Sequence, residues 1–202
     1  RLWGCELDPR AAALARINLR RFGEPPRARI REGDVLALLP GQDVDGLPLP
    51  RCHAVVGNLP YVRRHRRADT ARWERRLGAR WAARDPSLVK PGPGGHPVLR
   101  LSGHADLYAL LFFHLADLLE PGGRLALLTA NAYLDAGYGR VLRRLLARHF
   151  RIVAIVESRT EPWFADASVN TAITVVEKLA PDEPQPAGHA RFVKLTAPLV
   201  GA

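Results

Sequence analysis

At 202 residues, with 30 Lys and Arg against 20 Asp and Glu, the chain carries a formal charge of +10. That length suits one α/β domain with a sizeable core, while no run reaches the ~18–20 apolar residues of a helical membrane span and no secretory signal is visible. Cys5 and Cys52 are the two cysteines; their separation excludes metal-ligand spacing and a disulfide framework, and reduced cytoplasmic thiols are expected. The charge suits a nucleic-acid partner through phosphate contacts, although an Arg-, Ala-, Gly- and Pro-rich composition accounts for part of the excess. With no Met and an apolar opening run, the chain reads as an internal piece of a longer protein.

Taken in order, Leu2 to Cys5 reads as a strand closed by Glu6-Leu7-Asp8-Pro9, with Asp8 as N-cap and Pro9 at the first helical position. Ala11, Leu14, Ala15, Ile17, Leu19 and Phe22 form an amphipathic stripe on a helix stopped by Gly23. A short strand, Ala28 to Arg31, leads into Gly33-Asp34-Val35. Leu38 to Arg51 is a connection, and His53 to Val56 a further strand. Residues 62–105 show no clean periodicity and read as a variable insertion, with Lys90 to Pro97 a mobile loop by composition. Asp106 to Leu119 is an apolar helix ended by Pro121-Gly122-Gly123. Strands follow at Arg124 to Thr129, Ile152 to Glu157 and Val169 to Glu177, with a helix between Asn131 and His149; residues 180–202 read as a linker and the start of a following region. Alternating strands and helices predict a Rossmann-like α/β fold, a mostly parallel sheet with helices on both faces.

The most informative stretch is Val55-Val56-Gly57-Asn58-Leu59-Pro60-Tyr61, an apolar strand running into a stiff turn. Pro60 fixes its own φ and pushes Leu59 out of the helical region. The Asn58 side-chain oxygen and the Leu59 or Pro60 carbonyl can then accept both hydrogens of one planar amino group, and Tyr61 offers a flat face for stacking. A bare Asn-Pro turn at a strand end is the competing reading. In open α/β sheets ligands bind beyond the carboxyl ends of the strands. Glu6, Asp34 and Asn58 each follow directly on a predicted strand, so all three are expected to line one crevice.

Asn58-Leu59-Pro60-Tyr61 resembles the [Asn/Asp/Ser]-Pro-Pro-[Tyr/Phe] motif of amino-methyltransferases. Asp106-Leu107-Tyr108 and the helix ending in Pro121-Gly122-Gly123 are similar to segments of the class I S-adenosylmethionine-dependent adenine-N6 DNA methyltransferases of restriction–modification and phage-defence systems. The resemblance covers Leu2 to about Glu177, and implies residues 1–179 as part of a catalytic domain. It implies that Glu6 accepts from the ribose hydroxyls of S-adenosylmethionine and Asp34 from its adenine amine, with Leu7 and Val35 beside them and Asn58 also at the cofactor. Helix-start and turn roles for the two acids remain the alternatives. It further implies that Asn58 and the Leu59–Pro60 backbone hold the target amine of an adenine flipped out of double-stranded DNA. Tyr61 would stack on one face and Phe164, with Trp163 as rival, on the other.

Arg63 and Arg64, with Arg66 and Arg67, either contact the flanking phosphates or form a solvated run. No metal is implied, and His53, His65 and His104 are expected to be exposed or packing residues. The family's Gly-rich cofactor loop and first strand, which sits centrally in its sheet, have no counterpart here. The chain by itself is therefore expected to be poorly stable and inactive, with nuclease, helicase or specificity functions fused or associated. The alternatives are methylation of rRNA adenine, DNA cytosine-N4 or protein glutamine, or a catalytically silent nucleic-acid-binding module.

Overall fold

The computed structural model describes residues 1–21, 23, 28–44, 47–61, 70–101, 106–159, 163, 170–184 and 188–197. The chain divides into two compact units, Arg1–Arg51 and Cys52–Ala202.

In the first unit β1 (Leu2–Glu6) pairs in parallel with β2 (Ala28–Glu32), and Glu6 lies opposite Glu32. The crossover is α1 (Pro9–Arg21). Asp8 caps it as its sequence predicts, Oδ1 accepting from the Arg10 and Ala11 N–H groups at 2.8 and 3.0 Å. The apolar stripe, however, is not covered as expected: Ala12 is buried, but Leu14 and Ile17 are exposed. Two strands offer too little sheet surface to bury a helix face of that width. Past Gly33, a small hairpin of β3 (Asp43–Val44) and β4 (Leu47–Pro48) fills what reads as a plain connection.

The second unit is a five-stranded sheet. Its strands are β5 (Cys52–Asn58), β8 (Leu119–Ala130), β9 (Phe150–Ser158), β10 (Thr171–Lys178) and β11 (Arg191–Leu195), in the order β11-β9-β10-β8-β5. Four strands run the same way, and β10 is antiparallel to both neighbours. The sheet is thus mixed within a largely parallel plan, as expected of a Rossmann-like α/β fold. β8 starts five residues earlier than its apolar run implies. Pro121-Gly122-Gly123 lies inside it, with Gly122 at φ 78°, where the register against β5 shifts between Cys52 and Ala54. A side chain at Gly123 would lie 3.0 Å from the Cys52 carbonyl oxygen, so the tripeptide admits a close crossing rather than ending an element.

The core of this unit is α3 (Leu107–Leu118), in which every residue is buried, with β8 and α4 (Arg140–His149). Val141, Leu142, Leu145 and Leu146 make the buried stripe of α4. Lys178 Nζ donates to the Ala116 and Leu119 carbonyls at 2.7 and 2.8 Å, satisfying the carboxyl end of α3.

Residues 70–101 form regular elements where the sequence shows no clean periodicity. α2 (Thr70–Arg84) buries Trp73, Leu77 and Trp81. This i, i+4, i+8 stripe is hidden in the sequence by the arginines around it. Arg80 and Arg84 pair with the buried Asp117 of α3. The stretch expected to be mobile is instead a hairpin, β6 (Val89–Pro91) and β7 (Pro97–Leu99), turning through Gly94 and Gly95 at φ 70° and 76°. α2 meets β7 through Gly78, where an added Cβ would lie 2.3 Å from the Pro97 carbonyl oxygen and 2.6 Å from the Val98 Cα. Both are backbone atoms that cannot swing aside. Gly78→Ala is expected to destabilise the protein by about 1–3 kcal/mol through this overpacking, read as a lower urea midpoint with unchanged slope.

Candidate functional site

β5 carries alternating residues to its carboxyl end, where Asn58 is the last strand residue, paired in register with Leu128 of β8. The Leu59 N–H continues the ladder by donating to the Leu128 carbonyl at 3.0 Å. Leu59 is buried and Pro60 exposed, so an apolar anchor and a rigid ring fix the turn from both sides. The exposed Asn58 side chain does not point away unattended: Tyr61 Oη donates to Asn58 Oδ1 at 2.9 Å. Burial raises the Tyr61 pKa, so the phenol keeps its proton and remains a donor at neutral pH. An amide oxygen has two lone pairs. Tyr61 uses one and thereby orients Asn58, leaving the other for a ligand.

In the first unit Glu6 and Asp34 come together at the carboxyl ends of β1 and β2. The Gly33 N–H donates to the Glu6 carbonyl at 2.8 Å, through a backbone at φ 151°. Glu6 Oε1 accepts from the Asp8 N–H at 2.9 Å, and Oε2 has no hydrogen bond among the described residues. Asp34 Oδ1 accepts from the Leu36 N–H at 3.0 Å, capping a short 3-10 turn, Val35–Ala37. Leu7 is exposed and Val35 half-buried beside them. Below, Cys5 Sγ donates to the Gly33 carbonyl at 3.2 Å. Burial pushes the thiol pKa up to about 11, so this cysteine is a packing residue.

The structure therefore brings together Glu6 with Asp34, and Asn58 with Tyr61, each pair within its own unit. Of the three residues expected to line one crevice, Glu6 and Asp34 belong to the first unit and Asn58 to the second. Phe164, Arg63, Arg64, Arg66, Arg67, His65 and His104 lie outside the described residues. Trp163 is half-buried. His53 is solvent-exposed and pairs with Glu120 at 3.1 Å. Asp106-Leu107-Tyr108 opens α3, with Leu107 and Tyr108 buried and the Tyr108 ring edge-on to Tyr133. Sequence reasoning missed the polar groups at the same end of the sheet as Asn58, above all Asn131, whose Nδ2 donates to Glu157 Oε1 at 2.7 Å. No motif marks them; their positions at strand ends are the signal they carry.

No family model matches the chain. A class I S-adenosylmethionine-dependent methyltransferase from Listeria monocytogenes superposes with a TM-score of 0.62 over 96% of this chain and 49% of its own, at 16% identity. The M protein of the Type I restriction enzyme EcoKI superposes with a TM-score of 0.58 over 99% of this chain and 37% of its own, at 19% identity. The fold is that of the class I S-adenosylmethionine-dependent methyltransferases. In sequence the chain is 30% identical over 146 residues to the Type II methyltransferase M.XhoI of Xanthomonas vasicola, a match covering 71% of this chain and 22% of that protein. It is related to the methyltransferases of restriction–modification systems, and spans about a fifth of the length of the curated relative it matches. No helix among the described residues is long and apolar enough to cross a membrane.

Proposed function

We propose that the chain contributes the catalytic core of a restriction–modification DNA methyltransferase that moves a methyl group from S-adenosylmethionine to the exocyclic N6 of an adenine flipped out of double-stranded DNA. The observation that carries this reading is Asn58. It stands at the end of a parallel strand, on a Pro-stiffened turn, with its carbonyl oxygen oriented by Tyr61.

The residues present fit the cofactor. Two carboxylates at the ends of adjacent parallel strands, one with an Oε2 that has no hydrogen bond among the described residues, suit a ribose diol and an adenine amine. Glu6 would accept from the ribose and Asp34 from the adenine, with Leu7 and Val35 as apolar cover. S-adenosylmethionine supplies an electrophilic methyl group on its sulfonium. Asn58 Oδ1 and the Leu59 or Pro60 carbonyl accept the two amine hydrogens, favouring a pyramidal nitrogen with its lone pair directed outward. Tyr61, and Phe164 on the opposite face, hold the ring in place. Catalysis on this reading comes from alignment and fixed dipoles, with Glu6, Asp34 and Asn58 each placed at the carboxyl end of a strand or just beyond it. Arg63 and Arg64 would meet the DNA backbone, and nuclease or specificity functions would be fused or associated. The enzyme would act in the cytoplasm.

The test is transfer of labelled methyl from S-adenosylmethionine to duplex DNA by the protein at full natural length. Tyr61 separates the two contributions at the site. Tyr61→Phe keeps the stacking face and loses the orienting bond, so kcat is expected to fall ~3–10-fold. Tyr61→Ala loses both, and kcat/KM is expected to fall by a further ~10–100-fold from lost stacking. Equal activity in Tyr61→Ala and wild type would remove Tyr61 from the site.

A further inference from the structure

A polar cleft of about 250 Å³ opens at the carboxyl end of the five-stranded sheet, lined by Asn131, Glu157, Ser158, Arg159, Asn170 and Lys194. We infer that this cleft holds one backbone phosphate of the nucleic-acid strand entering the site, with Arg159 and Lys194 as its cationic contacts. The inference rests on the DNA reading above and names residues to which no role is yet given.

Charge and occupancy favour an anion. Arg159 and Lys194 are both exposed and make no ion pair among the described residues, although an acid lies alongside. Lys194 is the register partner of Glu157 on the neighbouring parallel strand. Yet Glu157 takes its hydrogen bond from Asn131 Nδ2 at 2.7 Å instead. The carboxylate is thereby engaged by a neutral amide, and neither cation is paired with it among the described residues. The walls are also fixed by the backbone. The Asn131 N–H donates to the Asn170 carbonyl and the Arg159 N–H to the Leu195 carbonyl, each at 2.9 Å. These bonds tie the ends of β8, β9, β10 and β11 into one rim.

Position agrees with this ligand. Asn58, Leu128, Ile173, Val156 and Val193 form one row across the sheet. The cleft residues lie one to three positions beyond that row, at the end where Asn58 projects. At ~4.8 Å per strand, Arg159 beyond β9 and Lys194 on β11 lie about 14 and 19 Å along the sheet from Asn58. A nucleic-acid strand advances by about four to six nucleotides over that distance, at ~3.4 Å each. The phosphate held here would lie several nucleotides from the target base and set the register of the strand, without reading its sequence.

The experiment measures binding of the full-length protein to two duplexes of unrelated sequence, by fluorescence anisotropy over a series of salt concentrations. The double variant Arg159→Gln/Lys194→Gln is expected to bind both duplexes about tenfold more weakly near physiological salt. Its log–log salt slope should be reduced by about 1, the value for one phosphate contact. S-adenosylmethionine affinity and the melting midpoint should stay at wild-type values. The charge-keeping variant Arg159→Lys/Lys194→Arg should retain the wild-type slope. An unchanged slope in the double variant beside normal wild-type binding overturns the cleft assignment alone, as does a loss confined to one duplex. Wild-type protein that binds the cofactor but no DNA at any salt overturns the DNA reading, and the cleft assignment with it.

Discussion

Asn58→Ala is expected to lower kcat for methyl transfer about 10²–10³-fold while leaving S-adenosylmethionine affinity within about threefold of wild type. The size follows from removing one preorganised acceptor from the point where charge develops, which in comparable sites costs that much in rate. The selectivity follows from geometry. The side-chain bond of Asn58 is to Tyr61, and the acids that fit the cofactor lie on β1 and β2. The fold should not suffer, because the Asn58 side chain is exposed and the turn is anchored instead by buried Leu59 and its bond to Leu128. Single-turnover rates together with cofactor calorimetry read the two quantities separately. A variant that loses cofactor binding in step with its rate would place Asn58 in a structural role.

The second large effect concerns stability. Asp85, buried at 3% exposure, follows directly on α2. It accepts from the Ser87 N–H and hydroxyl at 3.1 and 2.6 Å, from Arg148 Nε at 2.6 Å, and interacts with His149 Nε2 at 3.0 Å. One carboxylate thus joins the end of α2 to the last turn of α4. Burial works to raise its pKa, but the bonds from Ser87, His149 and Arg148 overcome this and hold it down to about 2.

Asp85→Ala should cost about 3 kcal/mol, near the low end for breaking a buried pair, because Arg148 keeps access to water. The pH dependence follows from the lowered folded pKa. The stabilisation is fully present above the unfolded value near 4 and is lost as pH falls through about 2. It amounts to about 2 kcal/mol, since each tenfold change in proton affinity is worth ~1.4 kcal/mol. Urea titrations at pH 7 and at pH 3 should show a smaller loss in Asp85→Ala than in wild type; equal losses would assign the acid sensitivity to other carboxylates.

Much of this was legible in the sequence for identifiable reasons. The strands ending at Asn58 and at Ser158 stand out because Val and Ile recur without helical spacing, and Asp8-Pro9 marks the start of α1 by the chemistry of its cap. The Asn58 turn is readable because Pro60 dictates its local geometry with no tertiary help. α2 was not readable, since Trp73, Leu77 and Trp81 stand among five arginines and their stripe has meaning only against α3 and β7. The β6–β7 hairpin, made of prolines and glycines, has the composition of a loop and is held by packing on α2. The pairing of Glu6 with Asp34 followed from the parallel-strand rule alone. The cleft at Arg159 and Lys194 could not have been found that way, because four strands spread over more than 60 positions, Asn131 to Lys194, assemble it.

The measurement that tests the account most directly is nucleoside analysis by mass spectrometry. Duplex DNA of mixed sequence is incubated with labelled S-adenosylmethionine and the protein at its full natural length, with Asn58→Ala in parallel. The account predicts N6-methyladenine carrying the label, and none in the variant. Label in N4-methylcytosine instead would contradict the choice of target, and DNA without any methylated base despite bound cofactor would contradict the function itself.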